Sequence, residues 1–118
     1  MDAARAALFR HHAACCNGQD TAALAGHYPA SSRVVRDGEW VGEGPDSVLA
    51  ALGREFAGGL GRVLMVEGEP MLVQWSDPER LQVPYAVVRL KAQGDRVSEV
   101  RIDHDPAFVR DVVARGTF

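Results

Sequence analysis

With 118 residues, 47% of them hydrophobic and 25% charged, the chain is long enough for one core and too apolar for a disordered segment. Its net charge of -3, with Arg5, Arg33 and Arg54 interleaved among acids, lacks the basic surplus that phosphate contacts need, so no nucleic-acid partner is expected. No stretch reaches the roughly 20 apolar residues of a membrane span. The start, Met1-Asp2-Ala3-Ala4-Arg5, has no apolar signal run, and the two adjacent cysteines make no disulfide framework, so a cytoplasmic protein is expected.

In chain order, Leu8, Phe9, His12, Cys15 and Cys16 recur on one face of a helix over residues 2–16. Asn17-Gly18 supplies its stop. Asp20 is placed to cap a short second helix that runs through Tyr28 and ends at Pro29. Residues 32–37 alternate, with Val35 and Asp37 on one side and Val34 and Arg36 on the other. Asp37-Gly38 is a turn signal, after which Glu39-Trp40-Val41 return as a hairpin arm. Gly42-Glu43-Gly44-Pro45-Asp46 then leads into a third helix whose stripe is Val48, Leu49, Leu52 and Phe56, closed by Gly58-Gly59.

From Arg62 the helical period gives way to four runs rich in Val and Leu, over residues 62–67, 71–76, 81–92 and 96–104. Their links are too short for parallel crossovers, which predicts an antiparallel meander. Asp105-Pro106 opens a last helix over residues 107–115. Helices segregated to one face of such a sheet make an α+β architecture. Because sheets twist, the sheet is expected to form a cone-shaped curve wrapped around the N-terminal helices, leaving a hollow for a ligand.

Three signatures lie along this order. The first is Asn17-Gly18-Gln19-Asp20-Thr21-Ala22-Ala23-Leu24, with Gln19 standing between the Gly and the Asp. The second is Val34-Val35-Arg36-Asp37-Gly38 followed by Gly42-Glu43-Gly44. The third is Gly94-Asp95-Arg96-Val97 through Arg101-Ile102-Asp103-His104-Asp105-Pro106-Ala107. Together, across residues 4–115, they resemble the nuclear-transport-factor-2-like superfamily, in its SnoaL-like branch of polyketide cyclases and steroid isomerases. The resemblance implies one cystatin-like α+β barrel domain over residues 1–118 that holds a small apolar or aromatic ligand without a cofactor. It also implies a homodimer through the outer sheet face, where Arg89, Lys91, Arg101 and Asp103 make a polar surface.

The resemblance further implies proton abstraction beside a carbonyl, as in an isomerase, cyclase or dehydratase. A carboxylate at the end of the first strand is the base in such members, which points to Asp37. Its plainer role is to shape the Asp-Gly turn. His12 stands where such isomerases carry an oxyanion donor, and is equally a core histidine bonded to a carbonyl. His104 shares a face with Val100 and Ile102, and an inward polar group there needs a partner. The expected pocket wall is Phe9, Tyr28, Val35, Trp40, Phe56, Trp75, Tyr85 and Ile102. His11 with Cys15, and His12 with Cys16, have metal-sharing i, i+4 spacing, but the ligand set is incomplete and no metal is expected. The competing reading is a catalytically silent ligand-binding or dimerisation module.

Overall fold

The computed structural model describes residues 3–75 and 84–117. Helix α1 (Ala3–Asn17) buries Ala6, Leu8, Phe9, His12, Ala13 and Cys16 along one face. The residue that stops it is not Gly18 but Gln19, which takes the left-handed conformation at φ 58°. Gln19 N–H bonds Cys16 O and Asp20 N–H reaches back to Cys15 O, the paired bonds of a Schellman ending. The Gln19 amide also donates to Cys16 O and, across the chain, to Phe56 O. These bonds offset the cost of a side chain in a conformation that favours glycine.

The second helix differs from expectation. Residues Thr21–His27 wind as a 3-10 helix, and the Asp20 side chain makes no capping bond. Asp20 is committed to the end of α1, and 3-10 turns commonly serve as connectors, although at seven residues this one is longer than most. Helix α2 (Pro45–Glu55) begins at Pro45 behind Gly44. Helix α3 (Pro106–Arg115) is capped by Asp105, whose carboxylate accepts from Ala107 N–H.

Six strands form one sheet: β1 (Arg33–Arg36), β2 (Glu39–Glu43), β3 (Leu60–Val66), β4 (Glu69–Trp75), β5 (Pro84–Gln93) and β6 (Arg96–Asp103). Their order is β2-β1-β6-β5-β4-β3. The β1–β2 hairpin and the β3–β6 meander are antiparallel as the short links require. The β1–β6 pair is parallel, a correction to the all-antiparallel reading. That pair is joined through α2 and the whole meander, so link length placed no constraint on its direction. The sheet is curved and unclosed, with β2 and β3 as its edges, rather than a closed barrel.

The helices also divide between the faces. On the inner face α1, the 3-10 helix and α2 bury Phe9, Leu24, Leu52 and Phe56 against Leu72, Val88, Val100 and Ile102. On the outer face α3 lays Val109 and Val112 over Leu64, Val66, Val73, Trp75 and Val87. Strands β3 to β5 carry apolar residues on both sides, as Leu72-Val73 and Val87-Val88 show, so both sides need cover. Trp75, expected in the pocket, faces α3 for this reason. Beyond α3 the outer face is polar, with Arg89 paired to Asp103 at 2.7 Å and Arg101 to Glu99 at 2.9 Å.

Candidate functional site

A cavity of about 730 Å³ opens between α2, the β1–β2 hairpin and the adjoining ends of β4 to β6. Its wall includes Val34 and Arg36 from β1, Ser47, Arg54 and Glu55 from α2, Gln74 from β4, Tyr85 from β5 and Ile102 from β6. The inward side of β1 is thus the Val34–Arg36 side, the reverse of the expected Val35–Asp37 side. The interior beneath α1 is solid, filled by Phe9 and Phe56, which are both fully buried.

Asp37 does not line the cavity. It sits at φ 51°, followed by Gly38 at φ 85°, two consecutive left-handed residues of the turn type that suits a two-residue hairpin. The turn carries its carboxylate out of the β1 alternation and over the end of β6. There Asp37 Oδ1 accepts from His104 N–H at 2.8 Å, and Oδ2 meets His104 Nδ1 at 2.9 Å. On the ring's other side His104 Nε2 lies 2.5 Å from Glu55 Oε1. The side chains of Glu55, His104 and Asp37 are 6%, 16% and 51% exposed, so the chain runs from cavity wall to surface.

Carboxylate oxygens only accept, so an imidazole held between two of them donates from both nitrogens as imidazolium. Burial lowers the His104 pKa, but the hydrogen bonds to Asp37 and Glu55 and their charge outweigh it, and the net shift is upward. Burial raises the Asp37 pKa, and the backbone N–H and ring of His104 outweigh that in turn, leaving it below the usual carboxylate value. Tyr85 stands edge-on to the His104 ring at 5.0 Å.

His12 is the core histidine. It is fully buried, with Nδ1 donating to Leu8 O at 2.9 Å and Nε2 accepting from the Tyr28 hydroxyl at 2.6 Å. Burial is the main cause of a pKa lowered from 6.5 to about 4; the Leu8 bond opposes it, and His27 and His11 add to it. The consequence is measurable. Between pH 6.5 and 4 the unfolded chain takes up a proton that folded His12 refuses, so stability is full above that window and falls through it, by a total of about 3 kcal/mol. Urea midpoints across this range should show the fall in the wild type and a flatter profile in His12→Gln. His104 acts in the opposite sense: its stabilisation is complete below the unfolded value and lost as pH rises through the raised folded one.

Of the expected wall, Tyr85 and Ile102 line the cavity. Phe9, Tyr28 and Phe56 belong to the inner core. Val35 points away from the cavity side of β1, and Trp40 is 62% exposed with its indole N–H on Gly42 O. The Cys15 thiol lies 3.9 Å from the His11 ring, and among the described residues no group of three or more His, Cys, Asp or Glu is arranged to hold a metal. No described helix is long and apolar enough to cross a membrane.

Glu55 is the residue that sequence reasoning missed. It stands seven after Val48 and three after Leu52, on the buried stripe of α2 rather than its polar face. An acid at such a position needs a buried partner, and that was the available signal.

No protein-family model matches the sequence, and no curated protein matches it. Solved structures do. A cystatin-fold protein from Novosphingobium aromaticivorans aligns over 83% of this chain and 96% of its own, with a TM-score of 0.61 and 17% identity. The chain has the cystatin-like fold. Two further cystatin-like matches are a protein from Xanthomonas campestris pv. campestris proposed to be a polyketide cyclase, and one from Bacillus subtilis proposed to be an isomerase. The first has a TM-score of 0.56 at 10% identity, covering 95% of this chain and 96% of that one. The second has 0.57 at 11%, covering 94% and 93%. At such identities the likeness establishes the fold, the one that the SnoaL-like resemblance implied.

Proposed function

We propose that this protein binds a small carbonyl compound in the cavity and moves a proton on it without a cofactor, as an isomerase or cyclase does. The observation that carries the reading is the Glu55 carboxylate, buried in the cavity wall and held through Oε1 by a histidine that Asp37 clamps from behind. Glu55 Oε2 has no hydrogen-bond partner among the described residues and is the basic atom. It takes the proton from a carbon beside the carbonyl; the C–H electron pair moves into the new C=C bond and the carbonyl oxygen becomes an enolate. The Tyr85 hydroxyl donates to that oxygen. Where the enolate is conjugated with a further C=C bond, return of the proton from Glu55 to the remote carbon completes an isomerisation; where the enolate carbon instead attacks a second carbonyl, the ring closes and Glu55 returns its proton to the alkoxide oxygen so formed. The proposed activities of the two structural neighbours lend this class support.

Asp37 is a positioning residue here, since it reaches the substrate only through His104. The test is solvent-deuterium incorporation, followed by NMR, into a panel of ketones and β-keto esters. Protein-dependent incorporation is expected; none across the panel would leave the cavity as a binding site without chemistry. The pH profile isolates Asp37. Exchange should decline as pH rises through the raised His104 pKa, because deprotonation removes one of the two ring N–H bonds. In Asp37→Asn that decline should move to lower pH, a shift that loss of fold alone would not produce.

A further inference from the structure

Besides Glu55 the cavity wall carries three charged groups, the carboxylate of Asp46 in the first turn of α2 and two arginines, so its cationic groups outnumber that acid. Arg36 at the end of β1 and Arg54 at the end of α2 both line the cavity, and neither makes an ion pair or side-chain hydrogen bond among the described residues. Five other arginines among the described residues pair with acids: Arg5 with Glu69, Arg33 with Glu99, Arg89 with Asp103, Arg101 with Glu99, and Arg115 with Glu67 and Asp111. The acids nearest in sequence, Asp37 and Glu55, are both bonded to His104, and Arg36 acts on Asp37 only through its charge, which helps to lower the Asp37 pKa. A planar guanidinium left open on a cavity wall is a donor fork for an oxyanion.

A second observation points to a polar occupant. Gln74, also in the wall, is 3% exposed, and its Oε1 is buried with no hydrogen-bond partner. A buried acceptor without a donor forfeits its hydration and gains nothing in return. A terminal amide turns over about its last bond, so a ligand carrying an O–H or N–H can meet that need from the cavity side. The wall therefore departs from the largely apolar pocket that the resemblance implied.

We infer that the substrate carries an oxyanion, a carboxylate or a phosphate, held by Arg36 and Arg54 while its carbonyl end lies at Glu55. This rests on the proton-transfer reading for the identity of the reacting end, but anion binding itself does not need Glu55 to act. Acetate and inorganic phosphate are titrated separately into the full chain at constant ionic strength, with the arginine Nε–H resonances followed by NMR. Saturable shifts at Arg36 and Arg54 are expected and should be retained in Glu55→Gln; in the Arg36→Gln, Arg54→Gln double variant, followed instead through the backbone amides of the cavity wall, anion affinity should fall at least tenfold. Tighter acetate binding assigns a carboxylate, and tighter phosphate binding a phosphate ester. No saturable shift at either arginine up to ~50 mM of both probes overturns the inference. Anion binding without deuterium exchange keeps the clamp and removes the base; exchange that ignores the double variant does the reverse.

Discussion

Glu55→Gln should reduce protein-dependent deuterium incorporation by at least about a hundredfold, the lower end of what a positioned base contributes. Gln has nearly the same volume and keeps an oxygen that can accept from His104 Nε2, so the buried site stays filled and hydrogen-bonded. What it loses is the basic Oε2. The circular dichroism spectrum and urea midpoint should remain near wild type, which separates loss of chemistry from loss of fold. Asp37→Asn is the contrasting variant. The sequence-level expectation makes Asp37 the base, and in that case its amide would be the silent one. With Asp37 behind His104, its loss should lower the rate less than the loss of Glu55 and move the alkaline limb instead. A rate in Glu55→Gln within about twofold of wild type would remove Glu55 as base; the reverse ranking of the two variants would restore Asp37.

The ranking turns on one turn of chain. Strand alternation read from Val35 to Asp37 extrapolates a two-residue period past the end of a strand, and the period stops where the backbone does. Arg36 is the last residue of β1, and both residues after it take positive φ. The same Asp-Gly pair that signals a hairpin therefore cancels the inference of direction drawn through it. His104 was legible because Val100 and Ile102 fixed its neighbourhood, and its need for a partner was stated in the sequence; which partner was a matter of tertiary packing. The fold was legible for a different reason. Capping, turn residues and apolar period agree over most elements, and the cystatin-like arrangement follows from their order. The position of α3 was not, because continuous apolar runs in β3 to β5 mark two buried faces without saying which helix covers which.

Phe56→Ala should cost about 3–5 kcal/mol, the range for deleting a fully buried ring, against a total stability of roughly 5–15 kcal/mol for a domain of this kind. Its urea midpoint should fall steeply with little change in slope. Phe56 is fully buried in the cluster shared by α1, α2 and the inner sheet face. Its ring edge crowds Gly61 at the start of β3, where a Cβ would come within 2.6 Å of Phe56 Cε1. That closeness supplies an independent variant. Gly61→Ala pushes on the same ring from the other side, and in a filled core it too should destabilise, since overpacking strains what a cavity would absorb. Were Phe56 instead a wall of an open pocket, truncation would enlarge space already solvated and the added methyl at Gly61 would be accommodated, so both variants would fall within about 1 kcal/mol of wild type. The pair also bears on the site, because Glu55 precedes Phe56 at the end of α2. A ring fixed in the core holds that last turn against the sheet and so keeps the Glu55 carboxylate on His104.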